Sequence, residues 1–546
     1  MKRVAVIGAG PSGLVTVKEL LEEGHEPTCF ERASGLGGVF RYDEEDGVVW
    51  ESCRLTSSGL LTAFSDFPVP PDQVEQQTVG EYVGYLERYA EAFGVKDRIR
   101  FGTTVESVTR ETDGRWRLRA AGGDGETVDQ FFDAVAVCAG LHQNPHRPHF
   151  RGEETFTGRI LHGAEYRRPD QIAGKRVLIV GAGESGADVV AEVAEHAAET
   201  VLSLRRGVGV LPRKIRGRPN DWLTTRINHS AAHWVFLTRN PKDGRKRNVY
   251  RVAFFPLVLV DKLVQTAARA GRWLRGLLNG SRETGRLTRE LLRESGGTIN
   301  EQFGTKSDEF VKALAAGRCR RVGPIARFEV DRVVFDDGSE FDPDVVILCT
   351  GFEVKVPFLS DELAGADRFL YTFVPKVGAD LALIGLLRPA FGAIPPLAEL
   401  QARWYALLLS GQAKLPPEEE IRASIERLSA FRRDYFRAVR GRLDYLVDYT
   451  TLCDELAFAI GCKPTLEALG RQSRRFRRHF YASPFVAAQY RLVGPHAKPE
   501  IAAGVIEGLP VAHPAHELGA FYLRWRLSRA LHRVLGDGYE PKLVVR

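Results

Sequence analysis

Two glycine-rich turns carry the clearest chemical signal in the chain. Both have the spacing G-x-G-x-x-G, at residues 8–13 and 181–186, and each lies between a short apolar run and a helix-like stretch. In that setting the glycines let the backbone approach a pyrophosphate, and the N–H groups at the helix N-terminus bind its charge. Two such motifs predict two dinucleotides that face each other, and the usual purpose of that pairing is electron transfer between a nicotinamide and a flavin.

The strand after the first turn ends in an acid. Glu31 lies about twenty residues beyond the start of the turn, where a carboxylate accepts hydrogen bonds from a ribose diol and repels a 2′-phosphate. This site therefore suits the adenosine of FAD or of NAD. Its predicted contacts are Gly8, Gly10, Pro11, Ser12, Gly13, Glu31 and Arg32.

The strand after the second turn carries no acid at its end, but a hydroxyl and two guanidinium groups. Arginine forms paired charge-assisted bonds to phosphate oxygens, so this site suits the 2′-phosphate of NADPH, which leaves FAD for the first site. A solvated strand end is the alternative explanation, and we favour the phosphate because the arginines lie where the ribose must go. The predicted NADPH contacts are Gly181, Gly183, Glu184, Ser185, Gly186, Ser203, Arg205 and Arg206.

Composition excludes several classes of protein. The 546 residues are 44% hydrophobic and 27% charged, as in an ordinary globular enzyme, and the net charge of +6 is spread along the chain, so no nucleic-acid partner is predicted. The seven cysteines form no C-x-x-C pair, which excludes a redox dithiol, and a G-x-S-x-G elbow is missing, which excludes a hydrolase of that type. No metal site is predicted, because we interpret the Pro-rich stretch with His142, His146 and His149 as a linker.

The chain shows no targeting or membrane-spanning segment. The apolar run at residues 4–7 is too short for a signal peptide and leads directly into the glycine turn, so it predicts the first β-strand. No run reaches the ~18 apolar residues that span a bilayer. We therefore expect a cytoplasmic protein, with membrane association as the alternative.

The order of the motifs predicts an α/β fold in which one dinucleotide-binding domain is inserted into another. Both domains are Rossmann-like, and the NADPH domain interrupts the FAD domain. An insert at residues 207–300, rich in Arg, Trp and Phe, predicts helices packed over the active site; an amphipathic patch on a membrane is the less favoured alternative. The predicted parts are residues 1–150 (FAD domain, first part), 151–325 (NADPH domain with the insert), 326–400 (FAD domain, second part) and 401–546 (a mostly helical C-terminal region).

One segment between the two domains is similar to a known signature. Phe156, Gly158, His162 and Tyr166 match the pattern F-x-G-x-x-x-H-x-x-x-[YF] of the flavin-containing monooxygenases. Further segments resemble that family along nearly the whole chain: residues 37–40 (with Gly38 and Phe40), 64–68, 349–352 (with Thr350 and Gly351), 392–395, 399–404 (with Gln401) and 490–495. Tyr166-Arg167 ends the signature, where the related Baeyer–Villiger enzymes have Trp followed by Pro or Asp.

The resemblance implies an activity and a set of site residues. NADPH would reduce FAD, O₂ would add to the flavin C4a, and the C4a-hydroperoxyflavin would oxygenate a soft nucleophile, an amine nitrogen or a thioether sulfur. It implies cofactor contacts at Gly38, Phe40, Thr350 and Gly351. Thr56, Ser57 and Gln401 are the candidates for placing hydrogen-bond donors near the reacting oxygen, with a helix-capping hydroxyl as the alternative for Ser57. For His162 we favour a role in fixing the strand between the domains.

Three positions depart from the family pattern. Thr56 stands where the family has Asn, and a hydroxyl lacks the second donor of an amide. Glu184 stands where the family often has Asn, and Phe40 replaces Trp. The first of these departures bears on the stability of the oxygenated flavin.

Four hypotheses follow for the function. The first is oxygenation of an amine or sulfide; the others are Baeyer–Villiger conversion of ketones to esters, an uncoupled NADPH oxidase that releases hydrogen peroxide, and a flavin-binding interaction protein without turnover. The intact NADPH contacts speak against the last. The expected partners are a small amine, sulfide or ketone and O₂, with a homodimer left open.

Overall fold

The computed structural model of the chain describes residues 1–123, 125–215, 217–227, 282–296, 304–436, 439 and 445–512. The predicted insert is therefore described only at its two ends. Its central residues 228–281, and residues 513–546 of the C-terminal region, lie outside the described part of the chain.

The strands belong to two parallel sheets and several short antiparallel pairs. Their runs of Val, Ile and Leu favour extended backbone and bury both faces, as central parallel strands require. In chain order they are β1 Arg3–Ile7, β2 Glu26–Phe30, β3 Ile99–Arg100, β4 Thr103–Arg110, β5 Trp116–Gly122, β6 Thr127–Phe132, β7 Ala134–Val137, β8 Asn144–Pro145, β9 Arg159–His162, β10 Arg176–Val180, β11 Glu199–Ser203, β12 Lys214–Ile215, β13 Arg218–Pro219, β14 Arg320–Val322, β15 Ile325–Phe328, β16 Val333–Phe335, β17 Glu340–Phe341, β18 Val345–Leu348, β19 Phe352–Glu353, β20 Leu381–Leu383, β21 Arg388–Pro389 and β22 Leu446–Val447.

The α-helices cover the two parallel sheets and make up most of the C-terminal region. In chain order they are α1 Pro11–Glu22, α2 Gly59–Thr62, α3 Val79–Ala92, α4 Glu184–His196, α5 Arg282–Glu294, α6 Glu309–Ala315, α7 Asp361–Ala364, α8 Ile394–Leu409, α9 Glu418–Tyr435, α10 Tyr449–Ile460, α11 Leu466–Gly470, α12 Arg474–Ala482 and α13 Pro499–Gly508.

The first parallel sheet has the order β20-β7-β1-β2-β3, with the glycine turn at the carboxyl end of its central strand β1. In register, Ala5 of β1 lies between Thr28 of β2 and Val135 of β7. The sheet is completed by β20, which returns from far along the chain to pair with β7. The first unit therefore has its predicted two parts, separated by an insertion.

The second parallel sheet has the order β14-β11-β10-β18-β9, and it corrects a predicted boundary. We placed residues 326–400 in the FAD domain, but β18 pairs in parallel with β10 and β9. The preceding hairpin also packs on this sheet, because Phe328 and Phe335 share a buried cluster with Val346 of β18. The second unit therefore extends to about residue 350, since strand pairing over a long sequence separation decides which sheet an apolar run joins.

The two chain crossings between the units run side by side. β8, which leaves the first unit, pairs with β19, which leaves the second, so that Pro145 lies opposite Phe352. The two connections between the units thus form a paired neck.

The described part of the C-terminal region is mainly helical and packs on the first unit. α8, whose first turn carries Pro395 and Pro396, is almost entirely buried between α1 and α10. Pro at the first turn suits a helix start, because those N–H groups have no partner within the helix. No helix among the described residues is long and apolar enough to cross a membrane.

Candidate functional site

The first glycine turn has the close approaches that its spacing predicts. Gly8 has a φ of +103°, and a Cβ on Gly13 would lie 1.7 Å from the Gly8 carbonyl oxygen. Pro11 begins α1 directly after Gly10, and Ser12 is buried in its first turn, where its carbonyl accepts from Thr16. The free N–H groups of this helix start therefore face the place of a pyrophosphate.

Glu31 lies at the end of β2, as predicted, and is buried with its carboxylate held in place. One oxygen accepts from the Ala9 N–H at 2.6 Å and the other from the Ala33 N–H at 2.9 Å. These bonds orient the acid beside the glycine turn. Arg32 is exposed and donates to the side chain of Gln143, so it lies at the rim of the same site.

The opposite wall of this site is formed by Gly38, which lies against Gly10 of the glycine turn. Gly38 has a φ of +57°, and a Cβ on it would lie 3.0 Å from the Gly10 Cα. The ring of Phe40 is edge-on to Tyr82, with centroids 4.8 Å apart. The pair Gly10 and Gly38 leaves a side-chain-free surface that a nucleotide can contact along its backbone.

The second glycine turn repeats this geometry at the end of β10. Gly181 has a φ of +100°, and a Cβ on Gly186 would lie 2.3 Å from the Gly181 carbonyl oxygen. Gly183 is exposed and faces open space, and Glu184 and Ser185 begin α4.

The predicted 2′-phosphate contacts follow β11 at the adjacent edge. The buried Ser203 hydroxyl donates to the Gly323 carbonyl at 2.8 Å, which turns it away from a ligand. Arg205 and Arg206 are exposed and form no ion pair with any residue that the structure describes. The two guanidinium groups remain available to a phosphate.

Glu184 is neutralised by two cations that the sequence motifs did not single out. Its carboxylate accepts from Arg388 at 2.6 Å, and the Nζ of the buried Lys306 lies 3.8 Å from its other oxygen. The two cations offset the repulsion between this acid and a pyrophosphate. Both lie more than 100 residues from Glu184 along the chain, so no local pattern predicts the contact.

The signature residue His162 locks the neck between the units. Its Nε2 donates to the Gly351 carbonyl at 3.0 Å, and its Nδ1 accepts from the Ala164 N–H at 3.0 Å. Gly351 also accepts from the His146 N–H, and the Thr350 hydroxyl donates to the His146 carbonyl. Burial lowers the pKa of His162, and because Nδ1 accepts the Ala164 N–H, Nε2 is the nitrogen that carries the proton. These contacts agree with the expectation that His162 fixes the connection.

The three histidines of the Pro-rich stretch and the arginine after the signature each contact other residues of the protein. His142 packs edge-on against Phe352, whereas His146 pairs with Glu353 and His149 with Glu153. Each of the three histidines thus has a different partner. Arg167, directly after the signature, donates to the backbone carbonyls of residues 44, 47 and 164.

The loop at residues 56–58 lies between the two units. The Ser57 hydroxyl donates to the Gly392 carbonyl at 3.0 Å, rather than capping a helix. Thr56 is half-buried, and its hydroxyl has no hydrogen-bond partner among the described residues. The Ser58 N–H donates to Asp221 of the second unit at 2.6 Å. Sequence reasoning missed Asp221, which lies 163 residues from Ser58 and outside any motif.

Gln401 lies behind the site rather than in it. It is fully buried in α8, where its Oε1 accepts from the Gly385 N–H at 2.9 Å. Its Nε2 donates to the Thr372 hydroxyl and the Tyr371 carbonyl. A Cβ on Gly385 would lie 2.1 Å from the Ser12 Oγ, so Gln401 supports the backbone that packs against the start of α1.

The two sites fit FAD and NADPH. The first site combines the side-chain-free backbone of Gly10 and Gly38 with a helix N-terminus and an oriented acid. The second combines the exposed backbone of Gly183 with two guanidinium groups that have no ion-pair partner among the described residues. Bound there, FAD supplies the redox and oxygen chemistry, for which amino-acid side chains have no equivalent.

Comparison with known proteins agrees with this arrangement. The family model described as flavin-binding monooxygenase-like matches residues 1–237 and 292–506. A 4-hydroxybenzoate brominase (decarboxylating) of Marinomonas mediterranea is 32% identical over 519 residues, 93% of each chain. The human flavin-containing monooxygenase 2 is 32% identical over 511 residues, 90% of this chain and 89% of the human protein.

Solved structures show the same fold. A steroid monooxygenase bound to NADP superposes with a TM-score of 0.60 at 19% identity, over 84% of this chain and 97% of that one. The two glycine turns, the neck signature and these matches together place the chain in one family: it belongs to the flavin-binding monooxygenases, which use FAD and NADPH.

Proposed function

We propose that this monooxygenase uses NADPH and O₂ to oxygenate a soft nucleophile, an amine nitrogen or a thioether sulfur. The observation that carries the proposal is the pair of complementary nucleotide sites, with Glu31 in one and the unpaired Arg205 and Arg206 in the other. The similarity to human flavin-containing monooxygenase 2 over 90% of the chain supports it.

In this proposal some of the described residues bind the cofactors and others position the reacting groups. Glu31 holds the ribose of one cofactor, and Arg205 and Arg206 hold the 2′-phosphate of the other. Thr56 offers its unpaired hydroxyl to the reacting groups, while Ser57, bonded to Gly392, and Gln401, bonded to Gly385, act as positioning residues. Thr350 and Gly351 belong to the neck, where they keep the two cofactors facing each other.

The residue after the signature supports the nitrogen and sulfur branch over the Baeyer–Villiger branch. Arg167 is buried and clamps the backbone of residues 44–47 onto the second unit. Neither Pro nor Asp could make these donations. The chain therefore depends structurally on a residue that the Baeyer–Villiger pattern lacks.

Oxidation of a halide is a second candidate. It is favoured by the similarity to 4-hydroxybenzoate brominases of Marinomonas mediterranea and Pseudoalteromonas luteoviolacea, which extends over 93% and 98% of this chain. Bromide is also a soft nucleophile, so the same oxygen donor could transfer an oxygen atom to it.

A substrate panel under ¹⁸O₂ tests these proposals. The purified flavoprotein is mixed with NADPH and, separately, with N,N-dimethylaniline, methyl phenyl sulfide, cyclohexanone, or bromide plus 4-hydroxybenzoate. We expect ¹⁸O in an N-oxide or sulfoxide, with NADPH consumption that rises with substrate. A brominated phenol would support the second candidate and an ¹⁸O-labelled lactone the Baeyer–Villiger reaction. Peroxide equal to the NADPH consumed under every condition would indicate an uncoupled oxidase and overturn the proposal.

A further inference from the structure

Asp221 reaches from the second unit into the loop that carries Thr56. It lies in a single helical turn, Asn220–Leu223, directly after the hairpin of β12 and β13, and is only 5% exposed. Its Oδ2 accepts from the Ser58 N–H at 2.6 Å. This contact joins the two units at a place separate from the neck.

The loop is held from both sides, and Thr56 lies at its start. On one side Ser57 donates to Gly392, and on the other Ser58 donates to Asp221. Ser58 is also the N-cap of α2, and its carbonyl accepts from the N–H groups of Leu61 and Thr62. The position of the Thr56 hydroxyl therefore depends on a bond that the second unit supplies.

A charged side chain at position 221 is not needed for packing, because an uncharged amide of the same shape could fill this place. Its second oxygen, Oδ1, is buried without a hydrogen-bond partner among the described residues, and an isolated buried carboxylate is costly. Burial raises the pKa of Asp221, whereas the bond from the Ser58 N–H and the positive charge of Lys306, itself 4% exposed and from the same unit, oppose that rise. An amide could accept the Ser58 bond at a lower desolvation cost, but a carboxylate makes that bond shorter and stronger.

We propose that Asp221 is a positioning residue through which the second unit sets the placement of Thr56 in the flavin site. The strength of the Asp221–Ser58 bond then determines what share of the NADPH electrons ends in oxygenated product rather than in hydrogen peroxide. This second statement rests on the proposed oxygenation; the first does not.

Hydrogen–deuterium exchange of the purified protein without substrate tests the positioning role. In D221A the amides of residues 56–62 should exchange about tenfold faster, because a charge-assisted bond is lost. D221N keeps an acceptor without the charge and should fall between D221A and the parent. The matched control is D188N, which removes the charge of a half-buried acid of the second unit, paired with Arg213. Unchanged exchange in D221A would overturn the proposal.

The second readout is the peroxide released per NADPH in the presence of the best substrate. We expect it to rise in D221A, with the rate of flavin reduction by NADPH within about twofold of the parent, since the bond involves neither of the glycine turns that bind the nucleotides. Faster exchange with an unchanged peroxide share would overturn the link to coupling.

Two further cases need separate treatment: a D221A variant that does not fold, and a parent protein that oxygenates none of the substrates. If D221A does not fold, S58P removes the same bond from the donor side, and the φ of −71° at Ser58 suits proline. S58P should then reproduce the exchange of residues 59–62 and the peroxide share expected of D221A. If the parent oxygenates nothing, the proposed function fails while the exchange result still decides the role of Asp221.

Discussion

At the scale of single residues, the two sites are distinguished by charge at the end of one strand in each unit. Glu31 is anchored by two backbone N–H groups, whereas Arg205 and Arg206 project without partners among the described residues. An anchored acid selects a free ribose diol, and unpaired guanidinium groups select a phosphate.

The double variant R205A/R206A tests this selection. The Michaelis constant for NADPH should rise by about 10- to 100-fold, as expected for the loss of charged hydrogen bonds, while that for NADH changes little. Steady-state oxidation of the two cofactors provides the measurement. R320A is the control, because Arg320 is an exposed arginine of the same sheet whose charge faces Glu199. An equal loss with NADH would contradict the assignment.

A second residue-scale prediction concerns pH. Burial, assisted by the positive charge of Arg388, lowers the pKa of His142 to about 4 from a usual value of 6.5. The unfolded chain therefore takes up the proton first as the pH falls, so the stability due to neutral His142 is lost between pH 6.5 and 4.

Thermal melting across this pH range provides the check. The melting temperature of H142N should fall less steeply between pH 6.5 and 4 than that of the parent. H149N is the control, since His149 is exposed. Parallel curves for H142N and the parent would contradict the expected coupling.

At the scale of elements, each nucleotide site depends on how closely a strand and a helix approach across a glycine turn. In both turns the third glycine lies against the carbonyl of the first, at Gly13 against Gly8 and at Gly186 against Gly181. A methyl group there would push the helix away from the strand and move its N–H groups away from the pyrophosphate.

G13A should therefore purify without bound FAD and melt at a lower temperature, because its Cβ would lie 1.7 Å from a backbone oxygen. The ratio of flavin to protein absorbance measures the first effect and thermal melting the second. G80A in α3 is the matched control: its Cβ would meet nothing within 4 Å, and alanine should stabilise that helix by ~0.5–1 kcal/mol. Full flavin content in G13A would refute the role of this close approach.

At the scale of the whole molecule, a buried charge network joins the ends of the described chain. Arg491 is fully buried and donates to Glu19 of α1 and Glu399 of α8, and to the Ser65 hydroxyl. Asp66 pairs with Lys18 and Lys498. Burial alone would raise the pKa of Asp66, but Arg491 and Lys18 outweigh it and hold that pKa below its usual value.

R491M should lower the free energy of unfolding by about 3–5 kcal/mol, since it leaves several buried carboxylates without their shared cation. Chemical denaturation followed by flavin and tryptophan fluorescence provides the measurement. R471M is the control from the same region: among the described residues Arg471 forms a single ion pair, exposed and with Glu467 one helical turn away, and its loss should leave the midpoint unchanged. A parent-like midpoint for R491M would show that the network contributes no net stability.

The sequence by itself determined the features that are local. A glycine turn, the strand before it and the charge at the end of the next strand all lie within about 30 residues, and backbone geometry and side-chain charge identify them without knowledge of the fold. The two cofactors, the α/β class and the family resemblance followed from these features.

Only the tertiary structure decided which distant residues meet. It assigned β18 to the second sheet, paired Glu184 with Arg388 and Lys306, placed Asp221 on Ser58 and showed Gln401 supporting Gly385. Each of these contacts, apart from that of Gln401, spans more than 100 residues, and a buried polar group takes whichever partner the packing of several elements brings to it. For that reason the two glycine turns were predictable from the chain, whereas the contacts that hold residues 56–58 were not.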